Sequence, residues 1–181
     1  MTPHEPSAGH SVLVIPVPAL EGWVRARHQH YDPAYVSADP TFAHAHLTIL
    51  APFVERAEVD GVSARVSEIV SATSTFDFTL AEVDTFPNGI VHLVPEPEEP
   101  FRELTAALWR AFPAYPPYAG AFPDVRPHVT LDALGPDVTT ATVAASVASL
   151  LPAQGYADRV QLSWYEPGSC RTLAAWPLGG R

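Results

Sequence analysis

One tetrapeptide pattern occurs twice in the sequence, and each copy joins an imidazole to a hydroxyl. His46-Leu47-Thr48-Ile49 and His128-Val129-Thr130-Leu131 both read His, apolar, Thr, apolar, and they lie 82 positions apart. Phosphodiester cleavage without a metal needs a base, an acid and donors around the phosphoryl oxygens. Two histidines and two threonines supply these groups, because imidazole titrates near neutral pH. The repeat therefore indicates acid–base chemistry at a phosphate.

Each copy lies at the start of a predicted strand, one at residues 45–53 and the other at residues 128–134. Side chains two apart in a strand point to the same face, so the His and Thr of each copy face one way and the apolar residues the other. The pattern thus predicts two short strands, each presenting one imidazole and one hydroxyl together.

The rest of the chain predicts strands interleaved with helices. Strands are expected at residues 11–17, 75–86, 90–94, 160–164 and 171–177, and Asn88-Gly89 predicts a hairpin between the second and third of these. Helical spacing is present at residues 20–27, 59–69, 100–112 and 143–150, most clearly after Pro100. Seven or so strands with three or four helices predict an α+β or interleaved α/β fold.

The charge balance limits the partners. The chain has 20 acidic and 10 basic residues, a net charge of −10, and no lysine. An extended nucleic-acid surface is disfavoured, since binding to phosphate backbones needs many cations. We expect a monomer that takes up a small nucleotide or an RNA terminus at a local site.

The length of the chain, its single cysteine and its N-terminal segment predict one domain with a short tail. We expect a flexible N-terminal tail at residues 1–9 and a single domain at residues 10–181. The lone Cys170 forms no internal disulfide and no thiolate zinc site. Residues 11–20 are interrupted by Pro16 and Pro18 and predict neither a secretion signal nor a membrane span. A cytoplasmic location is expected.

The paired motifs and their flanks resemble the 2H (two-histidine) phosphoesterase superfamily, specifically bacterial 2′-5′ RNA ligase-like proteins. The resemblance covers most of the chain. Besides the two motifs, it is carried by residues 46–53 (HLTILAPF), 94–102 (VPEPEEPFR), 112–120 (FPAYPPYAG) and 127–131 (PHVTL).

This resemblance implies a bilobal α+β fold, in which two pseudo-symmetric αβ lobes with antiparallel sheets flank a central cleft. It implies no metal and no organic cofactor. The family hydrolyses cyclic or 2′-5′ phosphodiesters, or reversibly joins RNA ends through a 2′-5′ linkage, and we favour hydrolysis here. By the same resemblance His46 is the general acid, His128 the general base, and Thr48 and Thr130 the phosphate donors. The acid and base labels are open to exchange.

Candidate substrate-binding residues lie near the second motif and in the Pro-rich segment before it. Arg126 is either a phosphate contact, since a guanidinium matches phosphoryl oxygens, or an ion-pair partner of Asp124. Aromatic residues supply either a stacking surface for a base or core packing. Those considered are Phe53, Tyr115, Tyr118, Phe122 and Trp164, and the loop from Tyr115 to Phe122 is the favoured stacking surface.

Other functions remain open at this point. A binding module that recognises a nucleotide or phosphate without turnover would keep the same cleft. His44-Ala45-His46 also resembles a two-imidazole metal pair, which would make a metal hydrolase, although we expect His44 to be exposed. His92 is interpreted as a satisfied core imidazole rather than a cleft residue, and Asp132 as a solvated carboxylate at a strand end.

Overall fold

The computed structural model describes residues 9–180, which form two antiparallel four-stranded sheets with helices. This confirms the predicted α+β fold with two αβ lobes. The helices are α1 (Glu21–Tyr31), α2 (Val59–Ser71), α3 (Glu99–Ala111) and α4 (Thr140–Val147). The strands are β1 (His10–Pro16), β2 (His46–Leu50), β3 (Phe76–Thr85), β4 (Ile90–Glu96), β5 (Val129–Ala133), β6 (Ala153–Ala157), β7 (Arg159–Tyr165) and β8 (Arg171–Pro177).

The two sheets are built alike, and each places one motif strand at its edge. Their strand orders are β2-β1-β7-β8 and β5-β4-β3-β6. In the first sheet β1 pairs directly with β2, and α1 lies in the segment of chain that connects them. In the second sheet β4 pairs with β5, and α3 lies in the connecting segment. The edge strands β2 and β5 approach each other, with Cα atoms within 8 Å. Both motifs therefore meet where the two lobes meet.

The helices tie the lobes together in a reciprocal way. Helix α1 belongs to the first sheet but packs against β5 of the second, whereas α3 follows the second sheet and packs against β2 of the first. The Thr105 hydroxyl on α3 donates to the carbonyl of Ile49 on β2 at 2.9 Å. Each motif strand is thus backed by a helix of the opposite lobe.

Apolar periodicity explains most of the core. The strand β1 is buried from Ser11 to Pro16 because it is central in its sheet. The apolar stripe of α3 is buried at Phe101, Leu104 and Leu108, as predicted. Phe101 packs edge-to-face on Phe78 of β3, with ring centroids 5.1 Å apart. Burial of these aromatic and aliphatic side chains stabilises the packing of α3 on its own sheet.

One strand was not predicted from the sequence. Strand β6 reads AQGYA, which has no β-branched residue, and it is held by pairing along β3. Gly155 is required there, because a Cβ at this position would collide with the ring of Phe78. The predicted hairpin at Asn88-Gly89 is confirmed: it joins β3 to β4, with φ of 89° at Gly89.

Two further predictions concern the N-terminal tail and membrane-spanning helices. The predicted tail at residues 1–9 falls, except for Gly9, outside the described residues, so the domain boundary stays a prediction. Within residues 9–180 no helix is long and apolar enough to cross a bilayer.

Candidate active site

A cavity of about 470 Å³ lies at the junction of the two motif strands. His46 and Thr48 reach it from β2, and His128 and Thr130 reach it from the start of β5. The alternate residues of both motifs are buried on the opposite side: Leu47, Ile49, Val129 and Leu131. The structure therefore brings the four predicted motif residues into one cavity, and their chemical roles stay a proposal.

Both motif imidazoles are anchored through the same ring nitrogen. Nδ1 of His46 lies 3.1 Å from the carbonyl of Ala43 and 3.0 Å from that of His44. Nδ1 of His128 lies 2.8 Å from the carbonyl of Arg126. A carbonyl can only accept, so in the neutral ring the proton sits on Nδ1 and the lone pair on Nε2. Nε2 is then the atom of each imidazole that can gain or give a proton.

Desolvation acts on both imidazoles. Burial lowers the pKa of His46 to about 4, although its backbone carbonyl partners partly oppose this shift. Burial also lowers the pKa of His128, again against the effect of its carbonyl partner, and the neighbouring His92 lowers it further. Both rings are therefore mainly neutral at pH 7 before an anion binds.

A second chamber, of about 600 Å³, shares three of the motif residues with the first cavity. The shared residues are Thr48, His128 and Thr130. Beyond them the chamber is lined by aromatic and polar side chains, namely Phe86, Asn88, Tyr118, Phe122 and Arg126. A group bound between the two histidines therefore has room on both sides.

Tyr118 reaches this chamber from a strained turn. Tyr118 and Ala119 have φ values of 50° and 53°, which residues other than glycine rarely adopt. The Tyr118 N–H donates to the carbonyl of Ala51 at 2.6 Å, and its hydroxyl interacts with Thr48. Burial raises the pKa of Tyr118. The Pro-rich segment thus supplies an aromatic residue beside the first motif.

Two predicted stacking residues lie elsewhere. Phe53 is only 5% exposed and packs edge-to-face on Phe112 and Tyr115, with centroids 5.1 and 5.2 Å apart. Its N–H donates to the Ser11 carbonyl, which holds the residue against β1. Neither Phe53 nor Tyr115 lines the two cavities. Phe53 therefore packs in the core and Tyr115 packs against it, both away from these two cavities, and their role in substrate binding stays a prediction.

Arg126 lies in the second chamber but is already paired. Its Nε and Nη2 donate to the same carboxylate oxygen of Glu98, at 2.9 and 2.6 Å. Asp124, the partner considered from sequence, instead accepts from Arg102 at 2.9 Å. The ion pair thus forms with a carboxylate on a distant segment rather than with the neighbour in sequence.

Helix α1 adds residues to the first cavity that the sequence did not indicate. Arg27, His28 and Tyr31 all line it, together with Asp132 of β5. Asp132 is 6% exposed, so the expectation of a solvated carboxylate is wrong. The reason is that α1 covers the end of β5, where Tyr31 and Arg27 bind both carboxylate oxygens. The spacing of Arg27 and Tyr31 by one helical turn was the available signal.

His44 is buried, at 4% exposure, so the prediction that it is exposed is wrong. Nδ1 lies 2.6 Å from the Glu21 carboxylate, and Nε2 accepts from the Ser37 N–H at 3.1 Å. The carboxylate of Glu21 also binds the backbone N–H of Ala45, which explains why the segment before β2 is drawn inward. Both His44 nitrogens are therefore occupied by protein partners. A metal bound between His44 and His46 would have to break these bonds.

His92 lies in the core directly behind the second motif, as expected for a core imidazole, but it is not fully satisfied. Nδ1 is 3.1 Å from the carbonyl of Ile90, whereas Nε2 is buried without a partner among residues 9–180. The ring stacks on Phe86 at 3.5 Å and meets His128 edge-on at 5.7 Å. His92 thus supports the ring of His128 without lining the cavity.

Comparison with known proteins adds a family and a fold. A family model described as 2′-5′ RNA ligase superfamily matches residues 15–169. The structure of Escherichia coli LigT complexed with 3′-AMP is similar, with 20% identity, a TM-score of 0.59 and coverage of 97% of this chain and 99% of that one. The protein TT0787 of Thermus thermophilus is 18% identical, with a TM-score of 0.61 and coverage of 95% and 99%. At these identities the structures establish the fold. A search of curated proteins found no match.

Proposed function

The chain belongs to the 2′-5′ RNA ligase (2H phosphoesterase) superfamily, and from that premise we propose that it is a metal-independent phosphoesterase. Its substrate is a cyclic 2′,3′-type or a 2′-5′ phosphodiester of a nucleotide or an RNA end. The observation that supports this most is that His46 and His128 share one cavity, each with a threonine two residues on and each anchored at Nδ1. Two imidazoles free to exchange protons at Nε2 are what acid–base hydrolysis of a phosphodiester requires.

In the proposed reaction His128 is the base. Its Nε2 takes a proton from water, and the resulting hydroxide oxygen attacks phosphorus. The bond between phosphorus and the ribose 2′ or 3′ oxygen breaks, and that oxygen takes a proton from Nε2 of His46. The hydroxyls of Thr48 and Thr130 donate to the non-bridging oxygens, on which negative charge accumulates. Proton exchange with solvent then restores both imidazoles.

Protonation of His46 is coupled to substrate binding. With a pKa of about 4, the ring carries almost no proton at pH 7 in the empty cavity. A phosphodiester anion about 4 Å away would stabilise the imidazolium by about 4 kcal/mol at an effective dielectric constant of about 20. That energy corresponds to about three pKa units, which is enough to raise the pKa of His46 from about 4 to about 7. At pH 7 about half of the His46 rings would then carry the proton when the anion is bound.

A small substrate fits the charge of the chain better than a long RNA. The net charge of −10 opposes an extended phosphate backbone, whereas the cavity and its second chamber accept a compact group. E. coli LigT has been crystallised in complex with 3′-AMP, NADP+ and ATP, which supports a small nucleotide as the ligand of this fold. We therefore propose hydrolysis as the main reaction, with 2′-5′ ligation as a reverse activity.

The decisive experiment is a substrate panel with product analysis. The panel contains 2′,3′-cyclic nucleotides, ADP-ribose cyclic phosphate and 2′-5′ oligoadenylates, together with a pair of RNA ends to be joined. We expect ring opening or cleavage of at least one phosphodiester, without added metal and in the presence of chelator. Tight binding of nucleotide without any turnover would instead establish a binding module. Stoichiometric metal together with chelator-sensitive activity would establish the metal hydrolase.

A further inference from the structure

One wall of the first cavity carries a permanent positive charge that the proposed mechanism does not use. Arg27 is the only arginine among the described residues that line this cavity, and the chain has no lysine. Burial lowers the pKa of both His46 and His128, so neither supplies a cation before a ligand binds. An anion that enters between them raises the pKa of His46, and a guanidinium on the cavity wall would add a donor whose charge does not depend on that proton.

Arg27 is held in one position by groups from both lobes. Its Nη2 lies 2.6 Å from Oδ2 of Asp132 and donates to the Tyr31 hydroxyl at 2.9 Å. The Tyr31 hydroxyl in turn donates to Oδ1 of Asp132 at 2.6 Å. The guanidinium also lies 4.9 Å from the ring centroid of Tyr31 and 6.0 Å from that of Trp23. A side chain fixed in this way loses little further freedom when it binds a ligand.

The protein does not use all the donors of this guanidinium. Nε of Arg27 is buried without a hydrogen-bond partner within residues 9–180, while the side chain as a whole keeps 29% exposure. The carboxylate of Asp132 is already shared by Tyr31, Arg27 and the backbone N–H of Ala133. An unsatisfied buried donor is costly and rare in native proteins. Because Nε is closed to solvent, a ligand oxygen in the cavity would meet the part of the Arg27 side chain that stays exposed.

We propose that Arg27 binds a non-bridging oxygen of the phosphoryl group in this cavity, with Asp132 and Tyr31 as the residues that position it. The inference rests on the proposed function and names a further donor to the phosphoryl group, one whose own charge is paired with Asp132. Arg126 is a weaker candidate for this role, because two of its nitrogens are bound to Glu98 and its side chain is 47% exposed. Planar guanidinium donors suit phosphoryl oxygens better than a neutral imidazole does.

The competing interpretation is that Arg27 and Asp132 form only a structural ion pair that links the two lobes. Removing Arg27 alone does not separate the two, since it also leaves the buried Asp132 carboxylate unpaired. The double variant Arg27→Gln/Asp132→Asn removes both charges at once. If the ion pair is only structural, the double variant should recover both the stability and the phosphate affinity of the wild type. If Arg27 contacts phosphate, stability recovers and phosphate binding does not.

The test measures binding of inorganic phosphate by calorimetry, with no turnover required. The double variant should unfold near the wild-type temperature and bind phosphate about 10- to 100-fold more weakly, the loss expected for a charged hydrogen bond. Arg25→Gln is the matched control, since this exposed arginine of α1 lies outside both cavities, and it should bind phosphate like the wild type. A double variant with affinity within about twofold of the wild type overturns the proposal.

Two further measurements test the inference even if the variants do not fold or the proposed function is wrong. In the wild-type chain the Nε–H signal of Arg27 should shift in NMR spectra when phosphate is added, and an unmoved signal overturns the proposal even if the variants do not fold. Turnover of a 2′,3′-cyclic nucleotide is measured on the same proteins. Arg27-dependent phosphate binding without turnover would refute the phosphoesterase and leave this inference standing. Turnover with unchanged phosphate affinity in the double variant would refute this inference alone.

Discussion

His46 and His128 are anchored by the same local contact: each presents Nδ1 to the carbonyl of the residue two positions before it. The distances are 3.0 Å to His44 and 2.8 Å to Arg126. The anchor comes from the backbone at the entry of each motif strand, so it needs no particular neighbouring side chain. The two lobes thus present equivalent imidazoles, and in the proposed reaction only their surroundings would distinguish the acid from the base.

Substitution of the two histidines tests these roles. His46→Ala and His128→Ala should each lower kcat for a 2′,3′-cyclic nucleotide by about 10² to 10⁴, the usual contribution of one acid or base. Thermal unfolding should change little, because both rings line a cavity. The control is His30→Ala, which removes an exposed histidine of α1 and should retain full activity. Wild-type turnover in either motif variant would contradict the assignment.

The leaving group separates acid from base. A p-nitrophenyl phosphodiester releases a stable anion that needs no proton, so loss of the general acid matters little for it. With His46 as the acid, His46→Ala should keep most of its activity on this ester, whereas His128→Ala should lose it. Steady-state kinetics on the ester and on a cyclic nucleotide give the comparison. The reverse pattern would exchange the two labels.

The pH dependence follows from the lowered pKa values. In the free protein the pKa of His46 is about 4, and that of His128 also lies below its usual value near 6.5. The profile of kcat/KM reports the free protein, so its bell should peak below pH 6.5 and fall as pH rises. The optimum of kcat should lie higher, because a bound phosphate anion stabilises the imidazolium and raises its pKa. Measurement of both constants between pH 4 and pH 9 with 2′,3′-cyclic UMP tests this. A kcat/KM that stays maximal to pH 8 would show that the rings are not desolvated as described.

The motif residues could be predicted from sequence because their direction depends on a local rule. Residues two apart in a strand share a face, and β2 and β5 obey it, with His46 and Thr48 towards the cavity while Leu47 and Ile49 are buried. The two similar lobes were expected from the family resemblance that the motifs and their flanks carry. These features need no knowledge of distant contacts.

The residues that sequence analysis missed or misplaced depend on contacts between distant segments. Tyr31 and Asp132 are 101 positions apart, and only the packing of α1 on β5 brings them together. His44 is buried because Glu21, on a different element, binds it. Phe53 follows the end of β2, so strand alternation no longer sets the direction of its side chain. In each case the packing of the lobes decides the outcome, and no local pattern encodes it.

Tyr118 provides a test of nucleobase stacking. Tyr118→Ala should raise KM for a cyclic nucleotide about 5- to 100-fold with a smaller effect on kcat, since stacking of one base contributes about 1–3 kcal/mol. Tyr118→Phe keeps the ring and should stay close to the wild type. The control is Tyr156→Ala, which removes an exposed tyrosine of β6 and should leave KM unchanged. An unaltered KM in Tyr118→Ala would place the base elsewhere.

Phe53 is expected to show the opposite behaviour, because it packs on Phe112 and Tyr115 in the core. Phe53→Ala should lower the free energy of unfolding by about 3–5 kcal/mol, the usual cost of removing a buried phenyl ring. Phe53→Leu should cost much less, since it leaves a smaller cavity. Urea denaturation measures both losses, and KM of the folded Phe53→Leu protein should equal that of the wild type. A raised KM at unchanged stability would return Phe53 to the substrate site, and it would mean that the segment after β2 turns towards the cleft when a nucleotide binds.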